Sequence, residues 1–193
     1  MGATYKITII GSGFVGQATG KSFAKLGHQV VFCDTDLDKL AQLEKDGFKT
    51  VLPENIGSFE TDVFFLTVPT PTIAKKIRFD FIFSATKNLA KVYLKNAKND
   101  PVIVVKSTVL PGTTENIITP LLEKHSGKYA GRDFHVAMNP EYLREKLAQY
   151  DFENPRLITI GTSDDRARAV LGELYLPYKD KCPIAYLTAT MAE

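Results

Sequence analysis

The sequence predicts an α/β fold: a doubly wound, mostly parallel sheet with helices on both faces. Three observations lead to this fold class. Short apolar runs, rich in β-branched and aromatic residues, recur along the 193 residues and are mostly continuous rather than alternating, as in strands buried on both faces. Longer amphipathic stretches separate them, as expected of helical crossovers between parallel strands. A glycine-rich segment follows the first run directly.

Each predicted element rests on such a run. The strands are Tyr5 to Ile10, Gln29 to Cys33, Asp62 to Val68, Val102 to Lys106, Phe134 to Met138, Leu157 to Ile160 and Pro183 to Leu187. The helices, where apolar residues recur at helical spacing, are Val15 to Leu26, Leu37 to Lys45, Phe79 to Asn96, Thr113 to His125 and Asp164 to Leu174. Thr35 or Asp36, Thr113 and Ser163 are the expected N-terminal caps.

The composition excludes several classes of protein. Apolar residues make up 44% of the chain and charged residues 24%, which suffices for a buried core and argues against disorder. With 24 Lys and Arg against 22 Asp and Glu, the net charge is only +2, so we expect no nucleic-acid partner and no attraction to anionic membranes. No apolar run approaches the roughly 20 residues that span a bilayer.

The cysteines, the histidines and the N-terminal residues favour a cytoplasmic protein without a metal. Cys33 and Cys182 have no paired spacing, and the three histidines form no zinc motif. The opening residues lack the apolar core of a signal peptide. Cys33 falls inside a predicted strand, where a free cysteine is usually buried and inert.

The segment Gly11–Gly16 reads Gly-Ser-Gly-Phe-Val-Gly and lies between the first strand and the first helix. This is the fingerprint of a Rossmann-like dinucleotide site, in which the glycines allow a tight turn and close approach of a pyrophosphate. Asp34 ends the second strand about 20 residues later, where a carboxylate accepts ribose hydroxyls and repels a 2′-phosphate. We therefore expect NAD rather than NADP. The alternative is that the glycines only form a turn and that Asp34 caps the next helix.

Three further loops follow later strands, at the sheet edge where ligands of open α/β sheets collect. They are Pro69–Thr72, Lys106–Thr114 and Asn139–Glu145. Each also has a simpler interpretation, because Pro-Thr turns are common and Glu141 with Glu145 could form a solvated i, i+4 pair.

In order and spacing, the glycine loop, Val68–Pro71, Lys106–Thr114 and Asn139–Glu145 together resemble the nucleotide-sugar 6-dehydrogenase family, in its UDP-glucose and UDP-N-acetylmannosamine branches. The resemblance runs from Lys6 to Glu193. The chain departs from the family at Lys146, where the family usually has glycine. It also has no match to the family's Gly-x-Cys-Phe-Pro-Lys-Asp segment. Cys182 lacks those neighbours, so we do not expect it to be a nucleophile.

The resemblance implies oxidation of the C6 alcohol of a nucleotide sugar to a carboxylate by two NAD, through an aldehyde, a cysteine thiohemiacetal and a thioester. It implies that residues 1–187 form the NAD-binding domain and that residues 188–193 begin a truncated central helix, with the central and C-terminal nucleotide-sugar-binding domains absent. We therefore expect this fragment alone to be inactive, and the full-length protein to be a homodimer that shares a UDP-sugar substrate with the absent domain.

The resemblance also assigns roles to residues of this chain. Glu141 would be the acid/base for thioester hydrolysis, and Thr108 would orient the attacking water. The sugar would be flanked by Glu141, Tyr142, Leu143, Arg144 and Glu145. The NAD-binding residues would be Gly11, Ser12, Gly13, Phe14, Val15, Gly16, Asp34, Lys39, Val68, Thr70, Pro71, Thr72, Ser107, Thr108, Val109 and Glu145.

Within this resemblance UDP-glucose 6-dehydrogenase is the first hypothesis, and a UDP-N-acetylmannosamine or GDP-mannose dehydrogenase is the nearest alternative. A 3-hydroxyacid or 6-phosphogluconate type of dehydrogenase would use a lysine on the central helix and no cysteine. A regulatory domain that binds NAD without chemistry would not need Glu141 or Thr108 near a sugar.

Overall fold

The computed structural model describes residues 3–193. Its strands are β1 (Lys6–Ile10), β2 (Gln29–Cys33), β3 (Lys49–Val51), β4 (Val63–Leu66), β5 (Thr72–Ile73), β6 (Lys76–Ile77), β7 (Val102–Val105), β8 (His135–Met138), β9 (Ile158–Gly161) and β10 (Ile184–Leu187). Its α-helices are α1 (Phe14–Lys25), α2 (Leu37–Lys45), α3 (Asp80–Val92), α4 (Thr119–Ser126), α5 (Ala148–Glu153), α6 (Asp165–Tyr175) and α7 (Ala189–Ala192). A π-helical turn, Thr114–Ile118, leads directly into α4.

Eight strands form one sheet in the order β10-β9-β8-β7-β4-β1-β2-β3. All neighbours pair in parallel except β8 and β9, which meet in an antiparallel contact at Met138 and Gly161. β1 lies between β2 and β4, so the chain changes direction across the sheet at β1, which is where ligands bind in such folds. The predicted doubly wound, mostly parallel sheet is confirmed.

Two apolar cores, one on each face of the sheet, hold the layers together. Phe23 of α1, Phe152 of α5 and Leu171 of α6 pack in one core with Ile9 and alternate residues of the other strands. The second core contains Leu89 of α3 and residues of α4. Because successive side chains of a strand point to opposite faces, each central strand contributes to both cores. Among residues 3–193, no helix combines the length and the apolar character needed to cross a membrane.

All seven predicted strands and five predicted helices occur, and their ends are shifted by one or two residues except in the third and fourth helices. The fourth, predicted from Thr113, begins with the π-helical turn Thr114–Ile118 and becomes α-helical only at Thr119. The third helix ends at Val92, and a separate turn, Leu94–Asn96, follows it. The sequence did not predict β3, α5 or the β5-β6 hairpin. The first two are only three and six residues long. The hairpin turns through Ala74 and Lys75, both with positive φ, and neither residue is a usual signal for such a turn.

Three local predictions were wrong. β10 is an edge strand rather than one buried on both faces, and Tyr186 is 45% exposed. Asp164, not Ser163, caps α6 by accepting the Ala167 N–H at 2.9 Å. Thr113 does not cap its helix with its side chain, because its hydroxyl donates to the Leu110 carbonyl. Of the two candidates for the cap of α2, Thr35 and Asp36, the structure selects Asp36.

Candidate functional site

The glycine loop Gly11–Gly16 lies at the carboxyl end of β1, at the centre of the sheet. Gly11 has φ +100, and a Cβ there would lie 2.8 Å from the Val68 nitrogen. A Cβ on Gly16 would lie 2.0 Å from the Gly11 carbonyl oxygen. Both positions therefore require glycine for the turn itself. Gly13 differs, because a Cβ there would meet no atom of the described residues within 4 Å. The loop thus leaves open space at Gly13.

The N-terminus of α1 lacks a partner within residues 3–193. Gly13 is the N-cap and provides no side-chain hydrogen bond, and the first turn contains no acidic residue. The buried Ser12 Oγ also has no hydrogen-bond partner in the described part of the chain. Free N–H groups at a helix N-terminus attract anions. The loop and the start of α1 therefore fit the pyrophosphate of a dinucleotide.

Asp34 follows β2 and is bound to the glycine loop. Its carboxylate accepts the Ser12 N–H at 2.5 Å and the Asp36 N–H at 3.0 Å. Asp36, rather than Asp34, caps α2 by accepting the N–H groups of Asp38 and Lys39. The alternative that Asp34 serves as the cap of α2 is therefore wrong. The Lys39 ammonium pairs with Asp36 at 3.2 Å, on the same side of α2.

The loops after β4 and β7 are joined to each other beside the glycine loop. Ser107 Oγ donates to the Val68 carbonyl at 2.6 Å, and Thr70 Oγ1 donates to the Thr108 carbonyl at 2.7 Å. Ser107 and Val109 are buried, whereas Thr108 is exposed. Pro71 and Thr72 lead into the exposed β5-β6 hairpin. Because β4 pairs with β1, both loops lie at the sheet edge that carries Gly11–Gly16.

The segment after β8 borders a cavity of about 430 Å³. Glu141, Tyr142, Leu143 and Arg144 line it together with residues of α5 and the start of β9. Glu141 Oε2 accepts the Leu143 N–H at 2.5 Å, and Arg144 pairs with Asp151 at 2.7 Å. Glu145 is exposed and begins a short 3-10 turn, and it is not among the described residues that line this cavity. β8 lies three strand spacings from β1, roughly 14 Å.

The cavity also contains residues for which the sequence predicted no role. Lys106 is buried in its wall, and its ammonium donates to Asn139 Oδ1 at 2.9 Å. Burial lowers the pKa of Lys106 to about 8, although the charge of Glu141 acts in the opposite direction. The signal in the sequence was a lysine placed directly after the buried run Val102–Val105, where a charged residue is unusual.

Neither cysteine has the surroundings of an activated thiol. Cys33 and Cys182 are both buried and unpaired. Burial raises the pKa of Cys33 to about 12 and also raises that of Cys182. Nucleophilic cysteines instead need a lowered pKa, so that the thiolate forms near neutral pH. The structure therefore supports the prediction that Cys182 is not a nucleophile.

Comparison with known proteins places this arrangement among dehydrogenases. The family described as "UDP-glucose/GDP-mannose dehydrogenase family, NAD binding domain" matches residues 5–55 and 48–179. UDP-glucose 6-dehydrogenase AglM of Haloferax volcanii is 35% identical over 91% of this chain and 45% of its own length. GDP-mannose 6-dehydrogenase of Pseudomonas syringae pv. syringae is 34% identical over 88% of this chain and 43% of its own.

A solved structure of similar architecture agrees with these relatives. The GDP-mannose dehydrogenase of Pseudomonas aeruginosa superimposes with a TM-score of 0.86 at 29% identity, covering 96% of this chain and 47% of that one. The chain spans less than half the length of the curated relatives described here.

Proposed function

The chain belongs to the UDP-glucose/GDP-mannose dehydrogenase family as its NAD-binding domain, and from this we propose that it serves as the cofactor half of a nucleotide-sugar 6-dehydrogenase. The observation that carries the proposal is the convergence at one sheet edge of the uncapped α1 and the loops after β2, β4, β7 and β8. The 3-hydroxyacid and 6-phosphogluconate alternatives lose their support, because the family match covers most of the chain.

When NAD is bound, it would accept a hydride from the alcohol carbon of the substrate. In our proposal the backbone of Gly11–Gly16, including Phe14 and Val15 in the first turn of α1, binds the pyrophosphate. Asp34 accepts the ribose hydroxyls. It keeps lone pairs free for this, because a carboxylate offers about four acceptor positions and two are used by Ser12 and Asp36. Lys39 lies near the same ribose edge.

The remaining cofactor contacts fall to the two joined loops and to the segment after β8. The joined loops supply Val68, Thr70, Pro71, Thr72, Ser107, Thr108 and Val109, and Glu145 approaches the nicotinamide. In the second half of the reaction, Glu141 takes a proton from water and Thr108 holds that water with its hydroxyl. The sugar is flanked by Tyr142, Leu143 and Arg144.

The nucleophile and most nucleotide contacts belong, in this proposal, to a second domain that follows a central helix begun by residues 188–193. We expect the 193 residues alone to give no NADH from any UDP-sugar, and the complete enzyme to be a homodimer. We propose UDP-glucose as the substrate. GDP-mannose is the second candidate, because relatives that carry that name are almost as similar as AglM. Assaying both sugars with the complete enzyme decides between them.

Cofactor choice tests the function in the chain itself. We expect calorimetry to show NAD binding about 10²-fold more tightly than NADP, since Asp34 would repel the 2′-phosphate. Asp34→Asn keeps the side chain's shape but removes its charge, so this preference should fall by about tenfold or more. Asp38→Asn, which removes a nearby charge on α2, should leave the preference unchanged. Equal affinity for both cofactors, or a preference unchanged by Asp34→Asn, would contradict the assignment.

The role of Glu141 is tested in the complete enzyme. Glu141→Gln should slow steady-state turnover by about 10²- to 10⁴-fold, because general acid/base help is lost from hydrolysis. The first burst of NADH should stay close to wild type, and a sugar-linked enzyme should accumulate in rapid-quench mass spectrometry. If turnover stays near wild type and no such adduct forms, Glu141 is not the acid/base.

A further inference from the structure

Asn139 is the centre of a buried hydrogen-bond cluster immediately before Glu141. It is 2% exposed, and all the groups of its side chain have partners. Its Oδ1 accepts from the Lys106 ammonium at 2.9 Å and from the Tyr175 hydroxyl at 2.6 Å. Its Nδ2 donates to the Thr159 carbonyl at 2.7 Å, and its backbone N–H donates to Val105 at 2.9 Å. Four elements, β7, β8, β9 and α6, therefore determine where this residue lies.

Lys106 is the unusual member of this cluster. A buried ammonium is expensive unless it is paired and hydrogen-bonded. Among the described residues, however, its side chain bonds only to the side chain and, at 3.5 Å, the carbonyl of Asn139. The ring of Phe152 lies 5.6 Å from Nζ and adds a favourable contact with the cation. A neutral, apolar residue would fill this space at a lower free-energy cost of burial. We therefore look for a function of the Lys106 charge.

The contacts of Lys106 suit it to orient the turn that follows Asn139. Asn139 is followed by Pro140, whose ring restricts the backbone, and then by Glu141, which closes the turn by accepting the Leu143 N–H. A residue that holds Asn139 in place therefore also determines the path of the chain after β8, and with it the position of Glu141. We propose that Lys106 is a positioning residue, whose protonated ammonium holds Asn139 and through it sets the orientation of the Glu141 turn.

Other charged and titratable groups around the cavity bear on this role. Glu141 attracts the ammonium and favours its charged form. Arg144 is paired with Asp151, and Arg156 and Tyr150 also line the cavity. Tyr175 shares the Asn139 acceptor with Lys106, and burial raises its pKa well above the ordinary value. It therefore stays protonated across the range in which Lys106, with a pKa of about 8, gains or loses its proton.

NMR of the 193-residue chain tests the proposal without any assumption about catalysis. Selectively labelled lysine reports the titration of Lys106, while the Asn139 side-chain amide and the Leu143 backbone amide report the turn. Over about pH 6.5 to 9.5 we expect all three signals to move with one midpoint near the Lys106 pKa of about 8. Lys106→Met should remove the transition at Asn139 and Leu143. Tyr175→Phe, which deletes the other donor to the same oxygen, should keep it.

The possible outcomes separate clearly. If Lys106 titrates while Asn139 and Leu143 stay still, or if their transition survives in Lys106→Met, the proposal is overturned. The wild-type signals decide this even if Lys106→Met does not fold. The catalytic consequence rests on the proposed function: in the complete enzyme Lys106→Met should lower kcat by about 10²-fold and leave the KM for NAD unchanged. An unchanged kcat would overturn that consequence, whereas a wild-type enzyme inactive on nucleotide sugars would contradict the proposed function instead.

Discussion

Two neighbouring loops of this protein have the same length and position but opposite chemistry. Gly11–Gly13 connects β1 to α1, and residues 34–36 connect β2 to α2, each with three residues between strand and helix. β1 and β2 pair in parallel, so the two loops lie side by side. The first is Gly-Ser-Gly and contains no carboxylate. The second is Asp-Thr-Asp and contains two.

The difference shows that side chains, not the fold, decide which helix can receive an anion. Each helix begins with unpaired N–H groups and a partial positive charge. At α2 these groups are used by Asp36, which accepts two of them. At α1 the side chain of Gly13 offers nothing to them. Asp34 then connects the loops, because it accepts the Ser12 N–H and leaves the start of α1 open. The start of α1 is thus free to bind a ligand because no side chain caps it.

Giving α1 the cap that α2 has should produce the largest effect. Gly13 has φ −71 and ψ −171, a conformation open to any residue, and there is room for a side chain. Gly13→Asp should weaken NAD binding by about 10²-fold, because the new carboxylate occupies the N–H groups and repels the pyrophosphate. The Tm should rise by about 1 °C, since aspartate caps slightly better than glycine. Calorimetry and thermal melts measure the two changes.

Gly13→Asn separates the two causes. Asparagine caps as well as aspartate but carries no charge, so it should weaken NAD binding less than Gly13→Asp while raising the Tm by a similar amount. If Gly13→Asp left the affinity for NAD unchanged, the open N-terminus of α1 would not be the anion site.

The contrast between these loops was readable in the sequence because it is local. The glycines, Asp34 and Asp36 lie within a few residues of the strands that precede them, so their spacing predicts a dinucleotide loop and a cap at Thr35 or Asp36. The spacing did not decide between these two caps or exclude Asp34 as the cap. The cavity cluster was not readable, since Lys106, Asn139 and Tyr175 are separated by more than 30 residues along the chain. The β5-β6 hairpin was missed for another reason: Ala74 and Lys75 adopt positive φ, which the local sequence does not favour.

Removing the existing cap of α2 should have a smaller effect, confined to stability. Asp36→Ala leaves the N–H groups of Asp38 and Lys39 without their acceptor, and should lower the Tm by about 2 to 4 °C. NAD affinity should be unchanged, because Asp34 and the glycine loop keep their contacts. Asp36→Asn, which retains the cap, should lose little stability. A clear loss of NAD binding in Asp36→Ala would show that the second loop contributes more to the site than the Asp34 carboxylate.

The smallest expected difference between the two loops is in how the Tm depends on pH. Hydrogen bonds from the Lys39 backbone and ammonium hold the pKa of Asp36 below its ordinary 3.8. A lowered pKa in the folded state means that the stabilisation is fully present above the unfolded value and is lost as the pH falls through the folded one. The Tm advantage of wild type over Asp36→Asn should therefore be small near neutrality, begin to fall near pH 3.8, and vanish only when the pH is below the lowered pKa of folded Asp36. The advantage should also shrink in about 1 M salt, because the side chains of Asp36 and Lys39 are both exposed.

The other loop provides the control. Gly11–Gly13 contains no ionisable side chain, so Gly13→Asn should show no such pH dependence relative to wild type. A difference between wild type and Asp36→Asn that persists unchanged in acid would mean that the charge of Asp36 contributes nothing to the cap, and that the two loops differ in hydrogen bonding alone.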